Sequence, residues 1–128
     1  MGLKREVSLS TALRYKGRDP YLTYILHRIG GLGMAIFITT HVLATFVEGK
    51  GWRIGDFIND IYISPFFQIF FLFGVLFHVI NGMRITLLDL FPSLIHYYRQ
   101  AIAIEWVIFI VVYAFAFITI ITTAMGRL

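Results

Sequence analysis

The sequence contains no cysteine, and only 14% of its 128 residues are charged. The first absence excludes disulfides, thiolate metal sites and cysteine-held iron–sulfur clusters. Any redox chemistry must then rest on histidine ligation or on cofactors carried by partner chains. The scarcity of charge, set against 59% hydrophobic residues and a mean hydropathy of +0.80, lies outside the mix of ordinary soluble domains. Repeats and linkers are missing too, so residues 1–128 read as a single membrane domain. The basic, polar N-terminal segment lacks the small-residue cleavage pattern of a signal peptide, and every span is expected to persist in the mature protein.

What is present is apolar sequence in three long runs, at about residues 22–47, 65–90 and 102–123. Each is long enough to cross a hydrocarbon core of roughly 30 Å at about 1.5 Å per residue. Three spans cannot close a barrel, so the expected fold is an all-α integral membrane protein with three transmembrane helices. Between the first two, the glycine-rich stretch Glu48-Gly49-Lys50-Gly51-Trp52-Arg53-Ile54-Gly55 reads as an exterior turn, with Trp52 and Tyr62 at the outer headgroup level. Pro92 ends the second helix. Tyr97 and Tyr98 then mark the inner interface before the third span, which is expected to start near Glu105 and Trp106.

Charge orients these spans. Lys4, Arg5, Arg14, Lys16 and Arg18 crowd the N-terminal tail and lie on the same side as Arg28, Arg84 and Arg99, whereas the other side carries Lys50, Arg53 and Arg127. The positive-inside rule places the N-terminus inside and the C-terminus outside, and it accounts for the basic tail without nucleic-acid binding. For a bacterial chain, this is the cytoplasmic membrane.

Ionisable groups are expensive within a span, which draws attention to the histidines and arginines. In the second span, Gly74, His78, Gly82 and Asp89 share a helical stripe. Imidazole is an axial ligand for haem, and flanking glycines leave room for a large flat ring. The first span carries Gly30, Met34, Phe37 and His41 along one face, with His27 and Arg28 at its inner end. The simpler reading of either histidine is a hydrogen bond to a neighbouring helix. With Arg28 and Arg84 taken as level, His78 and His41 differ in depth by about 10 Å, so they would serve two sites, each completed by another chain. Arg28 and Arg84 suit haem propionates or a quinone carbonyl, their plainer role being to snorkel to headgroups. Tyr24 and Asp89 fall in the same polar patch, and His96, outside the spans, is expected to be solvated or packed on a partner.

The segments Tyr24-Ile25-Leu26-His27-Arg28-Ile29-Gly30 and His78-Val79-Ile80-Asn81-Gly82-Met83-Arg84-Ile85-Thr86-Leu87-Leu88-Asp89 resemble the cytochrome b membrane anchor of succinate dehydrogenase and quinol:fumarate reductase. The resemblance covers roughly residues 20–92 and reaches the third span through topology. It implies a noncatalytic anchor that packs with a second anchor subunit into a haem-binding bundle and holds a flavoprotein and an iron–sulfur subunit to the membrane. Electrons would pass from FAD and iron–sulfur centres in the partners to quinone, the substrate. The resemblance makes His78 the axial haem b ligand and His27 and Arg28 propionate and quinone-site residues, with Arg84 and Asp89 in the same patch and Gly30, Gly74 and Gly82 beside the cofactor. His41 resembles the additional ligand of two-haem versions, so two haems per complex are expected, and trimers of complexes are compatible with the family. Tyr24 keeps a hydroxyl where many members carry serine, whereas Gly30 and Ile85 replace a hydroxyl-bearing residue and a histidine. The competing functions are a nonredox scaffold or small transporter subunit, and the anchor of another b-type quinone-linked dehydrogenase.

Overall fold

A computed structural model describes Ser8, Ser10 and residues 19–127. Lys4, Arg5, Arg14, Lys16 and Arg18, which carry much of the orientation argument, lie outside the described residues. The elements are α1 (Asp19–Glu48), α2 (Arg53–Ile63), α3 (Pro65–Leu90), a 3-10 turn (Pro92–Tyr97) and α4 (Tyr98–Gly126). Among the described residues, three helices, α1, α3 and α4 with its preceding turn, are long and apolar enough to cross a membrane. Most of their large apolar side chains remain exposed, as lipid-facing surface requires.

The chain runs up, down and up, with α3 in the middle packed against both α1 and α4. Partners across α1 and α3 descend on one helix as they rise on the other: His27 meets His78, Gly30 meets Gly74 and Phe37 meets Phe71. Across α3 and α4 the same antiparallel order holds, from Arg84 with Glu105 through Phe77 with Phe109 to Ile69 with Tyr113. Aromatic edges fill this second seam. Phe77 is 1% exposed and lies against Trp106 and Phe109, while Phe73 meets Phe109 and Tyr113 edge-on. The Tyr113 hydroxyl donates to the Ile69 carbonyl at 2.9 Å, so its polar end is satisfied within the bundle.

The boundaries have local causes. Ser64 caps α3 by accepting from the Phe67 amide at 3.3 Å, and Pro65 occupies its first turn, where an amide hydrogen is not needed. Pro92 follows α3 directly after Phe91 and prevents its continuation. The helix α3 covers the residues read from the sequence as the second span, and α4 begins at Tyr98, ahead of the third span expected from about residue 102. Glu105, expected to mark the start of the apolar segment, is instead one of its buried residues.

Residues 48–64 depart further from the expected exterior turn. Only residues 49–52 turn, with Gly51 at φ 78°, and α2 follows. Ile54, Phe57, Ile58, Ile61 and Tyr62 repeat at helical spacing, a pattern obscured in the sequence by Gly49, Gly51 and Gly55. Gly55 lets α2 fold back onto the end of α1: a Cβ there would lie 2.5 Å from both the Ala44 carbonyl oxygen and the Glu48 amide. Asn59 donates to the Glu48 carboxylate, and Thr40 and Tyr62 share a hydroxyl hydrogen bond. With Ile54 and Phe57 exposed, α2 is an amphipathic helix suited to the membrane surface.

Gly30 sets the closest approach of α1 to α3. A Cβ at this position would sit 2.6 Å from the Gly74 carbonyl oxygen, which is backbone and cannot swing aside. Gly30→Ala is therefore expected to force the helices apart and destabilise the bundle by about 1–3 kcal/mol. Gly33 has nothing within 4 Å of its Cβ position, so Gly33→Ala should be neutral or stabilising by up to about 1 kcal/mol. Thermal midpoints of the two variants, measured side by side in detergent, should separate in that order; equal midpoints would remove the close-approach argument.

Candidate functional site: a histidine pair and a buried polar network

His27 on α1 and His78 on α3 stack with ring centroids 4.0 Å apart and planes 8° from parallel. His78 Nδ1 lies 2.8 Å from the His27 carbonyl oxygen. A carbonyl only accepts, so Nδ1 carries the hydrogen, and Nε2 keeps its lone pair without a hydrogen-bond partner among the described residues. A hydrogen bond of this kind on one ring nitrogen fixes the imidazole so that the other nitrogen can face a metal. Glycines make the space: a Cβ on Gly31 would come within 2.9 Å of His78 Cε1, and one on Gly82 within 3.5 Å of His27 Cε1. The expected slot beside Gly74 and Gly82 is thus partly taken up by close helix packing, Gly74 against Gly30 and Gly82 against His27. An apolar recess of about 210 Å³ remains along Gly30, Gly33 and Gly74.

Toward the adjoining helix ends lies a cavity of about 300 Å³ lined by Thr23, Tyr24, His27, Asn81, Arg84 and Asp89, among others. It brings together four residues anticipated from sequence, Tyr24, His27, Arg84 and Asp89, and two, Thr23 and Asn81, that were not. His27 Nδ1 and Asn81 Nδ2, on two of the residues that line this cavity, are both buried without a hydrogen-bond partner. Arg28 is exposed, bonded to the Tyr24 hydroxyl one turn earlier and placed over its ring.

Arg84 and Arg28 do not share a level. His27, next to Arg28, is level with His78, which puts Arg84 about 9 Å nearer the helix end. Arg84 is also not free to snorkel. It is 8% exposed, its Nε donates to Glu105 Oε2 at 2.5 Å, and its Nη2 donates to Asn81 Oδ1 at 2.7 Å. The Tyr98 ring covers the guanidinium at 5.4 Å. Glu105, 3% exposed, belongs to this network, although in the sequence alone its charge suggests the boundary of a span. An acidic residue several positions inside a helix and opposite an arginine-bearing span is the signal that identifies such a pair.

His41 lies in a different region. It is exposed, stacks on Phe37 at 5.3 Å and meets the edge of Tyr62 at 6.1 Å, near α2. Because the His78 ring sits beside His27 and against Gly31, His41 is about 15–21 Å further along α1. The separation exceeds the expected 10 Å, since that figure depended on level arginines. His96, in the 3-10 turn, is exposed.

The described residues contain no group of three or more His, Asp or Glu that could enclose a bare ion. They offer single imidazoles, the donor pattern appropriate to a haem, whose macrocycle supplies the remaining nitrogen ligands. The oriented His78 and the unpartnered buried Nδ1 of His27 suit that group, while the space at Gly31 and Gly82 is filled by the two imidazoles themselves.

The family profile of the succinate dehydrogenase/fumarate reductase transmembrane subunit matches residues 3–118. No curated protein matches the chain.

Proposed function

Because the chain belongs to the succinate dehydrogenase/fumarate reductase transmembrane subunit family, we propose that it is the cytochrome b anchor of a succinate:quinone oxidoreductase. The observation that carries this reading is His78, whose Nδ1 hydrogen is engaged by the His27 carbonyl and whose Nε2 is left available as an axial ligand. Haem b, when bound, would supply one-electron storage. His27, through its unpartnered Nδ1, and Arg28, through its exposed guanidinium, are the propionate-binding groups. Gly30, Gly74 and Gly82 keep α1 and α3 close enough to hold the two imidazoles together.

The 300 Å³ cavity is the quinone-site contribution of this chain. Asn81 Nδ2 and the Tyr24 hydroxyl offer hydrogen bonds to a quinone carbonyl, and Asp89 provides a carboxylate at the same end for proton traffic. Arg84 supplies a fixed positive field from the cavity wall, held by Glu105 and Asn81. The dicarboxylate reaction and its FAD belong to the flavoprotein subunit, and the iron–sulfur clusters to its neighbour, because this cysteine-free chain cannot hold them. A second anchor subunit would complete the haem's ligation. The N-terminal, cavity-bearing end faces the cytoplasm of a bacterial cell, following the positive-inside asymmetry.

His41 is the ligand proposed for a second haem, its ring exposed toward a partner. Purification of the intact complex tests the reading: flavin and iron–sulfur subunits should accompany this chain, and dithionite should develop a b-type band. The expected haem-to-flavin ratio is about two, falling to about one in His41→Ala. A ratio of about one in the unmodified complex would reduce His41 to packing. Purification without flavin or haem would favour a nonredox scaffold.

A further inference from the structure

The His78 ring is held by a single turn of α1. Its Nδ1 donates to the His27 carbonyl at 2.8 Å, and the His27 ring lies on its face, with centroids 4.0 Å apart and planes 8° from parallel. Gly31 stands beside it, so close that a Cβ there would come within 2.9 Å of Cε1. These contacts restrain different things. A hydrogen bond to a carbonyl accepts a broad range of approach, and the second side-chain torsion of histidine is soft, so the Nδ1 contact anchors the ring without defining its plane. The stacked His27 ring supplies that restraint, because tilting His78 would lift one edge out of contact and drive the other into its neighbour. A neighbour on the face also leaves the in-plane lone pair of Nε2 clear, and Nε2 is not among the buried unpartnered atoms.

His27 is itself seated by packing. Its Cε1 lies 3.5 Å from the Cβ position of Gly82, one turn beyond His78 on α3, and its Nδ1 is buried without a hydrogen-bond partner. The stack therefore asks only for a flat ring at residue 27, whereas a propionate contact asks for the ring nitrogen. We infer, on the basis of the haem-anchor function above, that His27 is the positioning residue of His78: its ring fixes the plane of the axial imidazole, separately from any contact its Nδ1 makes to a propionate. The orientation of an axial imidazole governs the splitting of the iron d orbitals, which is read in the g-values of oxidised low-spin haem.

The test uses the assembled complex in lipid nanodiscs, with haem and flavin quantified first. A complex without a b-type band would count against the function itself. The relevant electron paramagnetic resonance signal is the one missing from His78→Ala. His27→Leu and His27→Phe both delete Nδ1, and both keep the main-chain carbonyl that receives the His78 hydrogen, so any propionate contact is lost equally and the hydrogen bond is kept equally. Only phenylalanine restores a flat face. Per haem retained, His27→Leu should shift and broaden the largest g-value of this signal, and His27→Phe should keep the position and width of the unmodified complex. A lower haem content common to both variants would measure the propionate contact and leave that comparison standing. Identical signals in the two variants, whether both altered or both unchanged, would overturn the positioning role. Complete loss of this haem from both would overturn it too, because the flat face would then have rescued nothing. Should His27→Leu fail to assemble, His27→Ala takes its place, since it likewise offers no face.

Discussion

His78→Ala is expected to remove the b-type band assigned to this chain's haem while leaving the flavin and iron–sulfur content of the partner subunits intact. The substitution deletes Nε2, the available ligand atom, and the Nδ1 hydrogen bond that fixes the ring against the His27 carbonyl. It also leaves His27 without its stacked neighbour. Loss of an axial ligand is a loss of binding, so the effect on haem content should approach complete, whereas His41→Ala would leave this haem in place. The informative companion is Gly31→Leu. A Cβ at Gly31 already comes within 2.9 Å of His78 Cε1, so a larger side chain should displace the imidazole without removing it. Difference spectra normalised to flavin would check both variants, with a shifted or diminished band expected for Gly31→Leu. An unchanged band in His78→Ala would place the haem elsewhere.

The second large effect concerns Arg84 and Glu105, buried together at side-chain exposures of 9% and 1%. Removing either partner strands a charge away from water, and the expected cost is about 3–5 kcal/mol. Arg84→Leu leaves the Glu105 carboxylate without its donor and frees Asn81 Oδ1; Glu105→Leu leaves the guanidinium with Asn81 and the Tyr98 face. Replacing both by leucine removes the uncompensated charge altogether, so the double variant should recover most of the loss. Resistance of the assembled complex to heat in detergent supplies the double-mutant cycle. Additive losses would show that the two side chains do not act as a pair. Quinone reduction should remain impaired in the double variant, because the positive field at the cavity wall is gone even when stability returns.

The difference between these two residues in the sequence is instructive. Arg84 stands in a family-like segment and was recognised, but its partner was not. Depth was the obstacle: charged residues usually mark where a span ends, and Glu105 looks like an edge until α4 is seen to start at Tyr98. Asn81 was visible within the same segment as His78, yet its role depends on the Arg84 Nη2 hydrogen bond and on lining the cavity. The histidine depths failed for a related reason. Sequence spacing measures position along one helix, whereas the offset between antiparallel helices is set where Gly30 meets Gly74. The amphipathic α2 was legible in the spacing of Ile54, Phe57, Ile58 and Ile61, but the three nearby glycines drew the reading toward a turn.

By itself, the sequence determined three membrane-spanning helices, the exclusion of cysteine chemistry and the membership of His27, Arg28, His78, Arg84 and Asp89 in family-like segments. Those properties follow from local quantities: run length, residue type and spacing along one helix. Tertiary structure decided which ring stacks on which, that His78 Nε2 rather than Nδ1 is available, and that Arg84 is paired with Glu105. These depend on the register between helices, which close contact of glycine backbones and the need to neutralise buried charge select together.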